Sequence, residues 1–120
     1  MARDRVLVID DDPYLRELVA MLLLDWGLTA IEATDCASSL AVLERERGRL
    51  QAVLLDYFMP GLDPRRCTRE ILDRVEPEVP VVLMSAAVDI AERAAEVGLR
   101  RYLAKPFEVT ELRAVVQAGE

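Results

Sequence analysis

The chain has 120 residues, 52% of them apolar and 5% aromatic, and a net charge of −7. That is one domain able to bury a core of Val, Leu and Ala, with no basic stripe to lay on a nucleic-acid backbone. It contains no histidine, which removes imidazole metal sites, His general bases and a Ser-His-Asp relay from the chemistry open to it.

Short β-branched runs alternate with helical patterns along the whole length. "RVLVID" (5–10) reads as a first strand. Pro13 follows, suited to the first turn of a helix, with Asp12 placed as its cap. The helix runs over 13–26, with Leu15, Leu18, Val19, Leu22 and Leu23 on one face, and stops at Gly27. "LTAIEA" (28–33) is a second strand, and 37–47 a second helix carrying Leu40, Val42 and Leu43. "AVLLD" (52–56) is a third strand, apolar throughout and so expected to be buried on both faces. "YFMPGLDP" is a loop punctuated by Pro and Gly, and a third helix covers 64–75. The fourth strand is "VPVVLM" (79–84), and the fourth helix covers 88–97 and closes at Gly98. "RYLA" (101–104) is a short fifth strand, and "VTELRAVVQA" (109–118) a last helix turning Val109, Leu112, Val115 and Val116 to the core.

Five strand-helix units with buried strands predict an α/β fold, a doubly wound five-stranded parallel sheet with helices on both faces. The order 2-1-3-4-5 of flavodoxin-like (βα)5 domains is the commonest solution at this size, and it puts ligands at the carboxyl ends of the strands, beside the switch point between strands one and three. Charges break up "MARDRVLVID", so no signal peptide is expected, and the longest apolar run, "LVAMLLL", is too short to span a bilayer. Cys36 and Cys67 form no CxxC motif and read as buried thiols in a reducing cytoplasm rather than as a disulfide.

The binding edge of such a sheet collects Asp10, Asp11 and Asp12 from strand one, Asp56 from strand three, Ser85 from strand four and Lys105 after strand five. Lys105 is the one lysine among fifteen basic residues. Asp12 is assigned to helix capping. Carboxylates gathered on one edge repel one another unless a cation or a proton joins them. Hard oxygen donors without His or thiolate favour Mg²⁺. A metal and a lysine around a carboxylate suggest an aspartate attacking a phosphoryl group, with Mg²⁺ and Lys neutralising the transferred oxygens and a serine hydroxyl binding one of them.

"VLVIDDDPYLR", "AVLLDYFMPGLD", "PVVLMSA" and "YLAKPF" resemble, in order and spacing, the four signature segments of the bacterial response-regulator receiver (CheY-like) domain, across essentially the whole chain. The resemblance implies that residues 1–120 form a receiver domain with Asp56 as phosphoacceptor. It further implies direct Mg²⁺ binding by Asp11, mainly water-mediated binding by Asp10, and a share of the coordination from the Phe58 backbone carbonyl. Ser85 would reach for a phosphate oxygen, and Lys105 would pair first with the acceptor carboxylate and then with the phosphoryl group. Tyr102 would be the aromatic that moves inward when Ser85 shifts. The Lys105–Pro106 peptide is usually cis in the family. The implied partners are a histidine kinase or histidine phosphotransfer protein, and an output protein or domain on the face made by helix four, strand five and helix five. Such a domain signals from the cytoplasm without turning over substrate, binding nucleic acid directly or inserting into a membrane.

The chain departs from the family pattern at several positions. Phe58 and Ala87, each two residues beyond a site residue, occupy positions that in the family flank the route of the hydrolytic water, and neither side chain can orient it; slow self-dephosphorylation is the expectation. Pro64 stands where Gly is usual. Only twelve residues separate Ser85 from Gly98, which shortens helix four or the loop before it. Arg100 and Arg101 replace a common acidic pair. Two other readings stay open. Asp10 and Asp12 have the DxD spacing of Mg²⁺-dependent aspartyl phosphatases of the haloacid dehalogenase type, although Pro13 and Tyr14 do not continue that motif. A degenerate receiver used as a scaffold is the other.

Overall fold

The computed structural model describes residues 2–59 and 63–117. It contains β1 (Arg5–Ile9), α1 (Pro13–Asp25), β2 (Thr29–Ala33), α2 (Cys36–Arg45), β3 (Leu50–Asp56), α3 (Pro64–Arg74), β4 (Val81–Ser85), α4 (Ile90–Glu96), β5 (Arg101–Ala104) and α5 (Val109–Gln117). The strands pair parallel in the order β2-β1-β3-β4-β5, as the alternating pattern predicts.

Successive side chains of a strand point to opposite faces of its sheet. Leu7, Ile9, Val53, Leu55 and Leu83 therefore share one buried cluster with Val42 and Leu43 of α2, Ile71 of α3 and Ala94 of α4. Val6, Val8, Leu54, Val82 and Met84 turn the other way, against Val19 and Leu23 of α1 and Leu112 and Val116 of α5. The three central strands are covered on both faces, which is why they read as unbroken apolar runs.

Local chemistry sets most of the boundaries. Asp12 caps α1, accepting a hydrogen bond from the Tyr14 N–H, and Asp63 caps α3 in the same way through Arg65 and Arg66. Pro13 and Pro64 occupy the first helical turns, where no N–H is needed. Gly27 and Gly98 end α1 and α4 with φ of 78° and 81°, a left-handed conformation that a Cβ disfavours.

The structure differs from the sequence expectations in identifiable places. β4 begins at Val81, one residue after Pro80, which lacks an N–H for the ladder. α4 is only seven residues long, shorter than the expected 88–97. Leu18 and Val109 point outward, not to the core. Residues 60–62, in the expected Pro-Gly loop, and residue 118 of the expected last helix lie outside the described residues. The expectation of free thiols is overturned. α2 and α3 pack side by side on one face of the sheet and bring Cys36 and Cys67 to a Cα–Cα distance of 5.9 Å, where they form a disulfide. Among the described residues no helix is long and apolar enough to cross a membrane.

Candidate functional site

Parallel register places the ends of four strands together. Ile9 lies beside Leu55 across the β1–β3 pair, Asp56 beside Met84 across β3–β4, and Ser85 beside Ala104 across β4–β5. The next residues along, Asp10 and Lys105, therefore emerge next to Asp56 and Ser85. Asp10 is 1% exposed and Asp56 5% exposed, whereas Asp11 faces solvent. One carboxylate oxygen from each of Asp10, Asp11 and Asp56 lies within 4.8 Å of the other two.

Lys105 Nζ donates to Asp10 Oδ2 at 2.8 Å and to Asp56 Oδ1 at 3.2 Å. Backbone contacts aim these groups. Asp10 Oδ1 accepts from the Asp12 N–H at 2.9 Å, and the Lys105 N–H donates to the Ser85 carbonyl at 2.9 Å. The Lys105–Pro106 peptide is cis. Arg16 Nη1 donates to the Asp10 carbonyl at 2.8 Å while its Nε pairs with Glu32 at 2.9 Å, so α1, β1 and β2 are tied together at the site. No sequence pattern marks Arg16 for this task, because it depends on how α1 crosses the sheet.

Two buried carboxylates share one ammonium, and the electrostatics show the imbalance. Burial lifts the Asp56 carboxyl to a pKa of about 6, against the pull of Lys105 and with the help of the Asp10 and Asp11 charges. Burial pulls the Lys105 ammonium downward. Its hydrogen bond to Asp10 and the charges of Asp56 and Asp10 together outweigh this and hold its pKa above the ordinary lysine value. The donor set is all oxygen, net negative and partly open to solvent through Asp11. A hard divalent cation fits it.

Ser85 is buried at the end of β4, and its Oγ accepts from the Ala87 N–H at 3.0 Å. It thus shapes the turn into α4, whose N-cap is Asp89. Phe58, two residues past Asp56, leaves its side chain 55% exposed. Tyr102 of β5 sits opposite Leu83 and is 43% exposed, outside the carboxylate cluster. Asp12 also stands apart, its Oδ1 committed to the start of α1, so DxD chemistry through Asp12 has no support in the geometry.

The response regulator receiver domain model matches residues 6–117. The chain is 33% identical to the "Probable transcriptional regulator ycf27" of Porphyridium aerugineum, over 98% of this chain and 48% of that protein. Among solved structures it is similar to NtrX from Brucella abortus in complex with ATP, with a TM-score of 0.84 at 32% identity, over 98% of this chain and 27% of that one. It is also similar to the receiver domain of the sensor histidine kinase PA1611 from Pseudomonas aeruginosa, which has a magnesium ion coordinated in its active-site cleft. The TM-score there is 0.81 at 28% identity, over 96% and 95% of the two chains. The chain spans about half the length of the curated ycf27 relatives.

Proposed function

Because the chain belongs to the response regulator receiver domain family of two-component signalling, we propose that its Asp56 is a phosphoacceptor. The single observation behind this reading is the pairing of Asp56 with Lys105 beside the second buried carboxylate of Asp10. The donor is a phosphohistidine on a histidine kinase or histidine phosphotransfer protein. An Asp56 oxygen attacks phosphorus as the nitrogen–phosphorus bond breaks, and the product is an acyl phosphate on Asp56.

Asp10, Asp11, Asp56 and the Phe58 backbone carbonyl would hold Mg²⁺, whose charge neutralises phosphoryl oxygens during transfer. Lys105 serves the same end from the protein side. Its ammonium is a compact charge with three donors, able to leave one carboxylate oxygen for a phosphoryl oxygen without rebuilding the pocket. Ser85 gives up its bond to the Ala87 N–H and donates its hydroxyl to another phosphoryl oxygen. That displacement pulls the turn before α4 and frees a place for Tyr102 to rotate inward, so the phosphorylated form presents an altered α4-β5-α5 face to an output protein or domain.

Residues 1–120 act in this reading as one cytoplasmic receiver domain. It assists its own phosphorylation and slow dephosphorylation and does not turn over an external substrate. The experiment is uptake of beryllofluoride with Mg²⁺, followed by fluorine NMR. Stoichiometric binding that is lost in Asp56→Asn and Lys105→Ala supports the phosphoacceptor reading; a chain that takes up none is a scaffold.

A further inference from the structure

Phe58 stands two residues past Asp56 with its side chain half exposed, and one cationic side chain lies against it. The guanidinium carbon of Arg93, in α4, is 5.2 Å from the ring centroid of Phe58 and 5.2 Å from that of Tyr57. The two rings meet edge to face with centroids 4.9 Å apart. Tyr57 is fixed, being buried and donating its N–H to the Met84 carbonyl at 2.9 Å. Phe58 is half open to water and keeps rotamer freedom unless something holds its face. Arg93 is itself held, since its Nε donates to Asp89 Oδ1 at 2.8 Å. Asp89 occupies the N-cap of α4 without making a side-chain cap bond. Its carboxylate anchors Arg93 instead of closing the helix end.

We propose that Arg93 is a positioning residue for the lifetime of the phosphorylated state, clamping the Phe58 ring across the mouth of the Asp56 pocket and so limiting the approach of water. The inference rests on the phosphoacceptor reading of Asp56. Loss of the phosphoryl group is a hydrolysis. A water oxygen bonds to phosphorus, the bond from phosphorus to the Asp56 oxygen breaks, and the carboxylate and inorganic phosphate separate as the water releases a proton to solvent. The water must come from the solvent side of the site, and Phe58, two residues past Asp56, is exposed to that solvent. A cation on the ring face and an edge contact from Tyr57 hold that ring still, and they make the decay rate depend on α4, the element that also borders the output face.

The test uses the purified chain phosphorylated with acetyl phosphate and Mg²⁺, with the donor removed and the decay of phosphoprotein followed. Arg93→Ala shortens the half-life about three- to five-fold, the effect of one exposed cation–ring contact. Arg93→Lys, which keeps a cation over the rings, restores most of it. In a Phe58→Ala background the same Arg93→Ala change has no further effect, which separates clamping from a general loosening of α4. Beryllofluoride uptake equal to the parent's shows that the acceptor site of each variant is intact. Wild-type decay in Arg93→Ala, or an equal acceleration with and without Phe58, overturns the proposal. Failure of the unaltered chain to take up any phosphoryl group overturns the phosphoacceptor reading as well, and is told apart because no decay exists to measure.

Discussion

Lys105 Nζ stands 3.2 Å from Asp56 Oδ1, although the two residues lie 49 positions apart, Asp56 at the end of β3 and Lys105 just after β5, with β4 between those strands. Only the parallel register of β3, β4 and β5 brings them together. The first prediction concerns the shape of this charge. Lys105→Arg keeps the fold, since one cation replaces another, but a planar fork cannot share a small pocket with a metal and a phosphoryl group. The variant is expected to melt within about 1 kcal/mol of the parent while phosphorylation no longer alters partner binding. Unchanged phosphorylation-dependent binding would count against the role given to Lys105.

A second prediction follows from the raised carboxyl of Asp56. Its pKa is about 6 in the fold against 3.8 for an ordinary aspartate. The folded state thus keeps a proton that the unfolded chain has released, so stability from this group is highest at low pH and falls as pH rises through roughly 4 to 6. At neutral pH without divalent cation, Asp56→Asn removes the strained charge and is expected to stabilise the protein by on the order of 1–3 kcal/mol. Added Mg²⁺ raises the melting temperature of the parent and much less that of the variant. Thermal scans across pH check both, and identical curves for the two proteins contradict the prediction.

Water access yields a third. Phe58→Asn with Ala87→Glu puts two polar side chains beside the phosphoryl group, where each can orient a water. The double variant should lose phosphate about ten-fold faster, equivalent to ~1.4 kcal/mol in the transition state. An unaltered decay rate would remove Phe58 and Ala87 from the account of a long-lived signal.

The cysteine pair supplies a fourth. Alkylation of the unreduced chain should leave both cysteines unlabelled, and reduction should expose two thiols. The cross-link closes a loop with a sequence separation of 31, so Cys36→Ser is expected to cost about 3–4 kcal/mol relative to the oxidised protein. Full labelling before reduction would show that the pair is open in solution.

Much of the fold was legible because local chemistry agrees with the global pattern. Pro13, capped by Asp12, starts α1 and Pro64 starts α3, while Gly27 ends α1 and Gly98 ends α4. The gathering of Asp10, Asp56 and Ser85 at one sheet edge was legible too, because each ends or directly follows an apolar strand. What was not legible is tertiary. The stripe from Leu15 to Leu23 is wider than the surface the sheet covers, and the covered arc centres on Val19 and Leu23, so Leu18 faces out. Nothing in the spacing of Cys36 and Cys67 says that α2 and α3 lie side by side. The twelve residues between Ser85 and Gly98 pointed to a shortened helix four or a shortened loop before it, but not to a start at Ile90, where the Asp89 carboxylate serves Arg93 and leaves the cap bond unmade.

The central claim is that Asp56 takes up a phosphoryl group. The direct measurement is mass spectrometry of the intact chain after incubation with acetyl phosphate and Mg²⁺, with the modified residue located by borohydride reduction and peptide sequencing. The account predicts one phosphoryl group per chain, on Asp56, dependent on Mg²⁺ and absent from Asp56→Asn. Modification at another residue, or none at all under conditions where the chain is folded and binds Mg²⁺, would contradict it.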